Sequence, residues 1–192
     1  MGRAPLARKV KEPKMEVIQT DIPDVFLLQP RVFSDSRGFF LETYNKHTLA
    51  GLGIETEFVQ DNQSHSLKNV LRGLHYQSQH AQGKLVRVLA GEIFDVAVDL
   101  RPNSPTRGKW VGIRLSSSSS RMIWIPKGFA HGFYTCSETA DVLYKVTDFY
   151  APKYERTLLW NDPEVGIEWP LAGEPILSDK DMAGHSFQEK SL

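Results

Sequence analysis

The sequence predicts an all-β domain, a sandwich or barrel with a few short helices. Three observations lead there. Short segments rich in β-branched and aromatic residues recur along most of the chain, turn residues separate them at close spacing, and no helical periodicity alternates with them. A doubly wound α/β sheet would need a helix between successive strands; many short strands with little helix make a sandwich or barrel instead.

Residues 1–14 (MGRAPLARKVKEPK) carry five basic residues, one acid and no apolar core, so they read as a disordered extension and not as a secretory signal. A single domain is expected over 15–192. Its first strand candidates are 16–20, 25–29, 38–44, 56–61 and 69–76, with Asn45–Leu52 as a short helix. Next come 84–90 (KLVRVLA) and 92–100 (EIFDVAVDL), hinged at Gly91 and closed by the turn Arg101-Pro102-Asn103-Ser104-Pro105. Val111, Ile113 and Leu115 alternate with Gly112 and Arg114, the pattern of a half-buried strand. The run Ser116–Ser120 reads as a surface turn leading to a strand at 122–125, which ends at Pro126-Lys127-Gly128. In 141–148 one parity carries Val142, Tyr144 and Val146, an inward face. Ser178 opens an S-x-x-D pattern that predicts a second short helix.

Composition narrows the function classes. Twenty-three Lys plus Arg balance 23 Asp plus Glu, which argues against the broad basic field of a nucleic-acid binder but leaves room for a local cationic cluster. No apolar run approaches the length that spans a bilayer as a helix. One cysteine, Cys136, excludes an internal disulfide and a multi-cysteine zinc site, and its chemistry is that of small core filler. A cytoplasmic location is the expectation. At this length the core needs no covalent staple.

Two segments carry candidate chemistry. Arg72 and His75 sit in the buried-looking strand VLRGLHYQ, where both are costly without partners, and an imidazole that titrates near neutrality is a candidate base. Three residues apart, they would point to opposite faces of a regular strand; either they serve different sites or Gly73 marks a bulge. In IPKGFAHGF, the P-x-G-x-x-H spacing that ends on His131 resembles the second motif of the cupin superfamily. Many cupins complete a metal set with an H-x-H pair and a Glu on the first motif. Here that strand has only His75, and His65 and His80 do not supply the pair, so no metal is expected. Tyr144 and Asp181 each have a structural reading, as a hydrogen-bonded core phenol and a helix-capping acid, beside a functional one. Lys84 follows Gln82-Gly83 at a strand start, where most lysines are solvated.

Together the segments resemble the dTDP-4-dehydrorhamnose 3,5-epimerase family, cupin jelly-roll enzymes, over about residues 15–185. The resemblance rests on FSDSRGFF (33–40), FVQDN (58–62), VLRGLHY (70–76), QGKLV (82–86), GEIFDVAVD (91–99), WIPKGFAHGF (124–133), WNDP (160–163), IEWP (167–170) and LSDKD (177–181). It implies that His75 is the base, Asp181 the carboxylate that orients it, Tyr144 the acid on the opposite side of the sugar, and Lys84 the cation at the enolate oxygen. Arg72 and His131 would stand beside the sugar and phosphate, and Arg37, Glu42, Gln60, Asn62, Glu155 and Lys180 would contact nucleotide and phosphate. The implied substrate is a dTDP-4-keto-6-deoxyhexose, with no cofactor. The implied assembly is a homodimer through exchanged N-terminal strands, so Arg37 would come from a second subunit.

Three alternatives stand beside this one. An enzyme inverting only C3 or only C5 would share the named residues. A non-catalytic cupin that binds a sugar nucleotide would lack the base or the acid, yet His75, Tyr144 and Asp181 are all present. A metal-dependent cupin would need three or four ligands that cannot be assembled here.

Overall fold

The computed structural model describes residues 15–188. The expected N-terminal extension over 1–14 lies outside them. The elements run β1 (Met15–Gln19), β2 (Phe26–Pro30), β3 (Val32–Asp35), β4 (Gly38–Leu41), α1 (Lys46–Ala50), β5 (Gln60–Leu67), β6 (Leu71–Gln77), β7 (Lys84–Ala90), β8 (Glu92–Asp99), β9 (Trp110–Ser116), β10 (Met122–Ile125), β11 (Phe129–Thr135) and β12 (Thr139–Val146). A 3-10 turn (Pro152–Tyr154), β13 (Glu155–Thr157) and α2 (Asp179–Met182) follow.

Eleven of these strands form two facing antiparallel sheets, one in the order β1-β2-β10-β7-β12-β5 and the other β13-β6-β11-β8-β9. Their inner faces meet in one apolar cluster: Val86, Val88, Ile123, Ile125 and Val142 from the first sheet, with Ile93, Ala97, Val111, Leu115, Phe129 and Phe133 from the second. Each outer face has its own cover. Leu49 of α1 and Ile54 pack on Met15, Leu28, Leu85 and Met122, while Leu158, Val165 and Phe187 of the C-terminal segment pack on Leu74, Tyr76, Val96, Val98 and Ala130. Burial on both faces explains why β8 and β11 read as nearly continuous apolar runs and not as alternation. The expected β-sandwich is observed.

The S-x-x-D capping pattern acts as predicted, and Asn45 caps the first helix as well. Asn45 Oδ1 accepts the N–H groups of His47 and Thr48 at 3.0 and 3.2 Å to start α1, and Ser178 starts α2. The third, two-stranded sheet stands apart: β3 and β4 pair only with each other and leave Phe33, Phe39 and Phe40 exposed, the last two by 68% and 70%.

The bulge in β6 resolves the parity conflict. Between two pairs in register, β6 uses three steps (Arg72 to His75) where β11 uses two (Phe133 to His131). The extra residue returns Arg72 to the face that carries His75. Only glycine fits there: Gly73 has φ +114°, and a Cβ would lie 2.6 Å from Gly132 Cα. Gly132 is equally constrained, because its own Cβ would meet the Arg72 carbonyl at 2.5 Å. The Gly73–Leu74 peptide is cis.

Candidate active site

Toward one end of the sandwich the inner faces turn from apolar to polar and open into a cavity of about 360 Å³. Strand β5 contributes Gln60, Asn62 and Ser64, β6 contributes Arg72 and His75, and β7 contributes Lys84. His131, Tyr144, Glu155 and Lys180 come from β11, β12, β13 and α2. Nine of the residues singled out from sequence therefore meet in one cavity, with Asp181 directly behind His75.

His75 Nε2 lies 2.7 Å from Asp181 Oδ1. That oxygen also accepts the Gly73 N–H at 3.1 Å, and Asp181 Oδ2 accepts the Ser178 hydroxyl at 2.7 Å. The capping and functional readings of Asp181 are thus both realised: its backbone N–H donates to Ser178 Oγ while its carboxylate serves the imidazole. Burial pushes the Asp181 carboxyl up, but the bonds from His75, Ser178 and Gly73 outweigh it and hold the group at about 2. It is therefore an anion at neutral pH, accepts a hydrogen bond from His75 Nε2–H, and leaves Nδ1 with the free lone pair.

The sign of this shift sets an acid-stability signature. A carboxyl held below its ordinary value of 3.8 contributes stability that is fully present above that value and is lost as pH falls through about 2. In urea titrations from pH 7 to 2, the stability gap between wild type and Asp181→Asn is expected to stay constant to about pH 4 and then to close. A gap that persists to pH 2 would contradict the arrangement.

Lys84 is buried, and its Nζ donates to the His75 carbonyl at 3.3 Å. Burial lowers its pKa to about 8, against the opposing pull of Asp95 and Glu155. Burial likewise pushes the Tyr144 phenol up, with Arg72 opposing, so the hydroxyl stays protonated near neutrality. Its ring packs against the inner cluster. Arg72 is held by Ser66 Oγ at 2.9 Å and by the His65 carbonyl at 3.2 Å. Lys180 pairs with Glu155, whose other oxygen accepts the Tyr150 hydroxyl at 2.8 Å. Gln60 donates to Asn62 Oδ1 at 2.8 Å and accepts the Tyr150 N–H at 3.0 Å.

Two expected contacts lie elsewhere in this chain. Arg37 is on the turn of the β3–β4 hairpin in an exposed ion pair with Asp35 at 2.6 Å. Glu42 accepts from Asn45 Nδ2 and Thr48 Oγ1 at the start of α1. Sequence reasoning missed Ser64, Gln82 and Tyr150 in the cavity wall, and Asp95, whose Oδ2 is 2.9 Å from His131 Nε2. A signal for Asp95 was present: an acid inside IFDVAVD, a stretch too apolar to be solvated. Among the described residues, no three His, Cys, Asp or Glu side chains are grouped so as to hold a metal ion. None of the described helices is long and apolar enough to cross a membrane.

Comparison with known proteins gives one consistent result. The family model described as dTDP-4-dehydrorhamnose 3,5-epimerase matches residues 19–189. The dTDP-4-dehydrorhamnose 3,5-epimerase of Salmonella typhimurium is 58% identical over 93% of this chain and 98% of its own length. That of Pseudomonas aeruginosa is 57% identical over 91% and 97%. Among solved structures, the dTDP-6-deoxy-D-glucose-3,5-epimerase of Legionella pneumophila in complex with dTDP-4-keto-L-rhamnose superposes with a TM-score of 0.88 at 52% identity, covering 91% of this chain and 93% of that one.

Proposed function

We propose a reaction and a set of residue roles from one premise: the chain belongs to the dTDP-4-dehydrorhamnose 3,5-epimerase family. The reaction converts dTDP-4-dehydro-6-deoxy-D-glucose to dTDP-4-dehydro-L-rhamnose. The observation that carries it is the His75–Asp181 pair at 2.7 Å in the wall of a cavity that also presents Lys84 and Tyr144.

The C4 ketone acidifies the hydrogens on C3 and C5. His75 Nδ1 removes one of them, the electron pair moves into the C4–O bond as an enolate, and Asp181 supports the imidazolium that forms. Lys84 is the cation for the enolate oxygen, in a buried setting where its charge acts more strongly than in water. Tyr144 returns a proton from the opposite face and so inverts the carbon; His75 then gives its proton to solvent and Tyr144 regains one from solvent, and a second cycle at the other carbon completes the reaction. The ketone is the electron sink, so the chemistry calls for no nicotinamide and no metal. Arg72, His131, Gln60, Asn62, Glu155 and Lys180 would hold sugar, phosphates and base around the reacting carbons.

NMR of the purified protein with the 4-keto substrate in deuterated water tests this. Deuterium at both C3 and C5 of the product is expected; label at one centre alone would make the enzyme a single-centre epimerase, and label at neither would remove the mechanism.

The β3–β4 hairpin supports a homodimer in which each chain lends Arg37 and Glu42 to the other's pocket. Its three exposed phenylalanines form an apolar surface that a second copy would cover. Light scattering is expected to give twice the chain mass, and a monomer at micromolar concentration would overturn this reading. A nucleotide-linked substrate and a lone cysteine suit the cytoplasm.

A further inference from the structure

We propose that Gln77 is a positioning residue for substrate binding: its side-chain amide holds the backbone on both sides of Tyr150 and so fixes the part of the cavity wall that joins Gln60 to Glu155. The inference rests on the reading of the pocket given above.

Tyr150 lies between β12 and the 3-10 turn, outside every described strand and helix. Backbone groups in such a stretch need partners from elsewhere. Here the partners are glutamine side chains. Gln77 Oε1 accepts the Ala151 N–H at 2.7 Å, and its Nε2 donates to the Phe149 carbonyl at 3.3 Å and to the His80 carbonyl at 2.7 Å. Gln60 Oε1 accepts the N–H of Tyr150 itself at 3.0 Å, and Gln82 Nε2 donates to the Asp148 carbonyl at 2.9 Å. All three glutamines line the cavity. Gln77 is the one that grips the chain on both sides of Tyr150.

Its place in the fold suits this task. Gln77 is the last residue of β6, on the same strand face as His75 two positions earlier, and it is buried. A backbone N–H can only donate and a carbonyl can only accept, so the partners fix which way the amide points. A carboxylate could not replace it, having no hydrogen for either carbonyl. The Gln77 backbone is in register with Glu155, whose carboxylate accepts the Tyr150 hydroxyl at 2.8 Å and pairs with Lys180. Tyr150 is thus held from one position at both ends, its main chain through the Gln77 amide and its hydroxyl through the strand paired with Gln77. Its N–H and hydroxyl in turn orient Gln60 and Glu155, two groups read above as contacts to the substrate.

Gln77→Met keeps the reach of the side chain and removes its donor and acceptor. The variant is expected to raise KM, and to weaken the binding of dTDP measured by calorimetry, each by about tenfold, with kcat changed by less than about twofold. In a Tyr150→Ala background, where the hydroxyl link to Glu155 is gone, the same substitution is expected to weaken dTDP binding by less than about threefold. Unchanged dTDP affinity, a loss that falls on kcat and not on KM, or a tenfold loss in both backgrounds would overturn the proposal. If Gln77→Met does not fold, amide hydrogen exchange in the unliganded wild type decides: the Ala151 N–H is expected to be protected although it lies in a loop, and exchange at the rate of an open chain would overturn the proposal. That measurement needs neither turnover nor ligand. A wild type that binds no dTDP would therefore remove the reading of the pocket and leave the exchange of Ala151 to decide on Gln77.

Discussion

Replacing His75 with alanine is expected to lower kcat/KM by about 10²–10⁴-fold, the range for losing a positioned general base. The substitution removes the imidazole that is part-exposed to the cavity with Asp181 behind it; the other, His131, is paired with Asp95 and almost wholly buried. Deuterium uptake from solvent into both C3 and C5 should fall in parallel with turnover, because uptake requires the same abstraction. The fold should persist: the ring is part-exposed, and Asp181 keeps its bonds to Gly73 and Ser178. A thermal midpoint within a few degrees of wild type, together with the rate loss, is the expected pair of results. Near-normal turnover would remove His75 from the chemistry.

Tyr144→Phe is expected to separate the two halves of the reaction. Its ring packs against the inner cluster, so phenylalanine fills the same space and only the hydroxyl is lost. Without the acid on the opposite face, product formation should drop by about 10²–10³-fold. The base still forms the enolate, and His75 can return a solvent-derived proton to the face it came from. Deuterium should therefore enter unreacted substrate without inversion, at a rate well above that of product formation. Loss of exchange and of product to the same degree would assign Tyr144 to the wrong step.

Much of this architecture could be read from residue patterns, and the exceptions have physical causes. The alternation in 141–148 places Tyr144 on the inner face, where it is observed in β12, because a strand half-buried by apolar neighbours reveals its parity. The expected strand at 56–61 is instead Gln60–Leu67, since QDNQSHSL is a polar edge strand whose pairing with β12, and not its apolar content, makes it a strand. Strand β11 shows no alternation because all seven of its residues are buried, so the sequence marks it only by the P-x-G-x-x-H spacing. The three residues of β13 are strand only through their register with β6. In the site, His75, Lys84 and Asp181 were recognisable from the resemblance, whereas the shared face of Arg72 and His75 depends on a bulge whose partner, Gly132, is on another strand. Asp95 escaped notice because an acid's burial is decided by the sheet that covers it.

The Asp181 carboxylate, one oxygen on the imidazole and the other on the helix-capping serine, ties the proposed base to the C-terminal segment. Asp181 lies 106 residues after His75, beyond every strand of the sandwich. Under the proposed roles, a chain clipped before Ser178 keeps the residues of all the strands and loses both the anion behind the base and the Phe187 cover of one sheet.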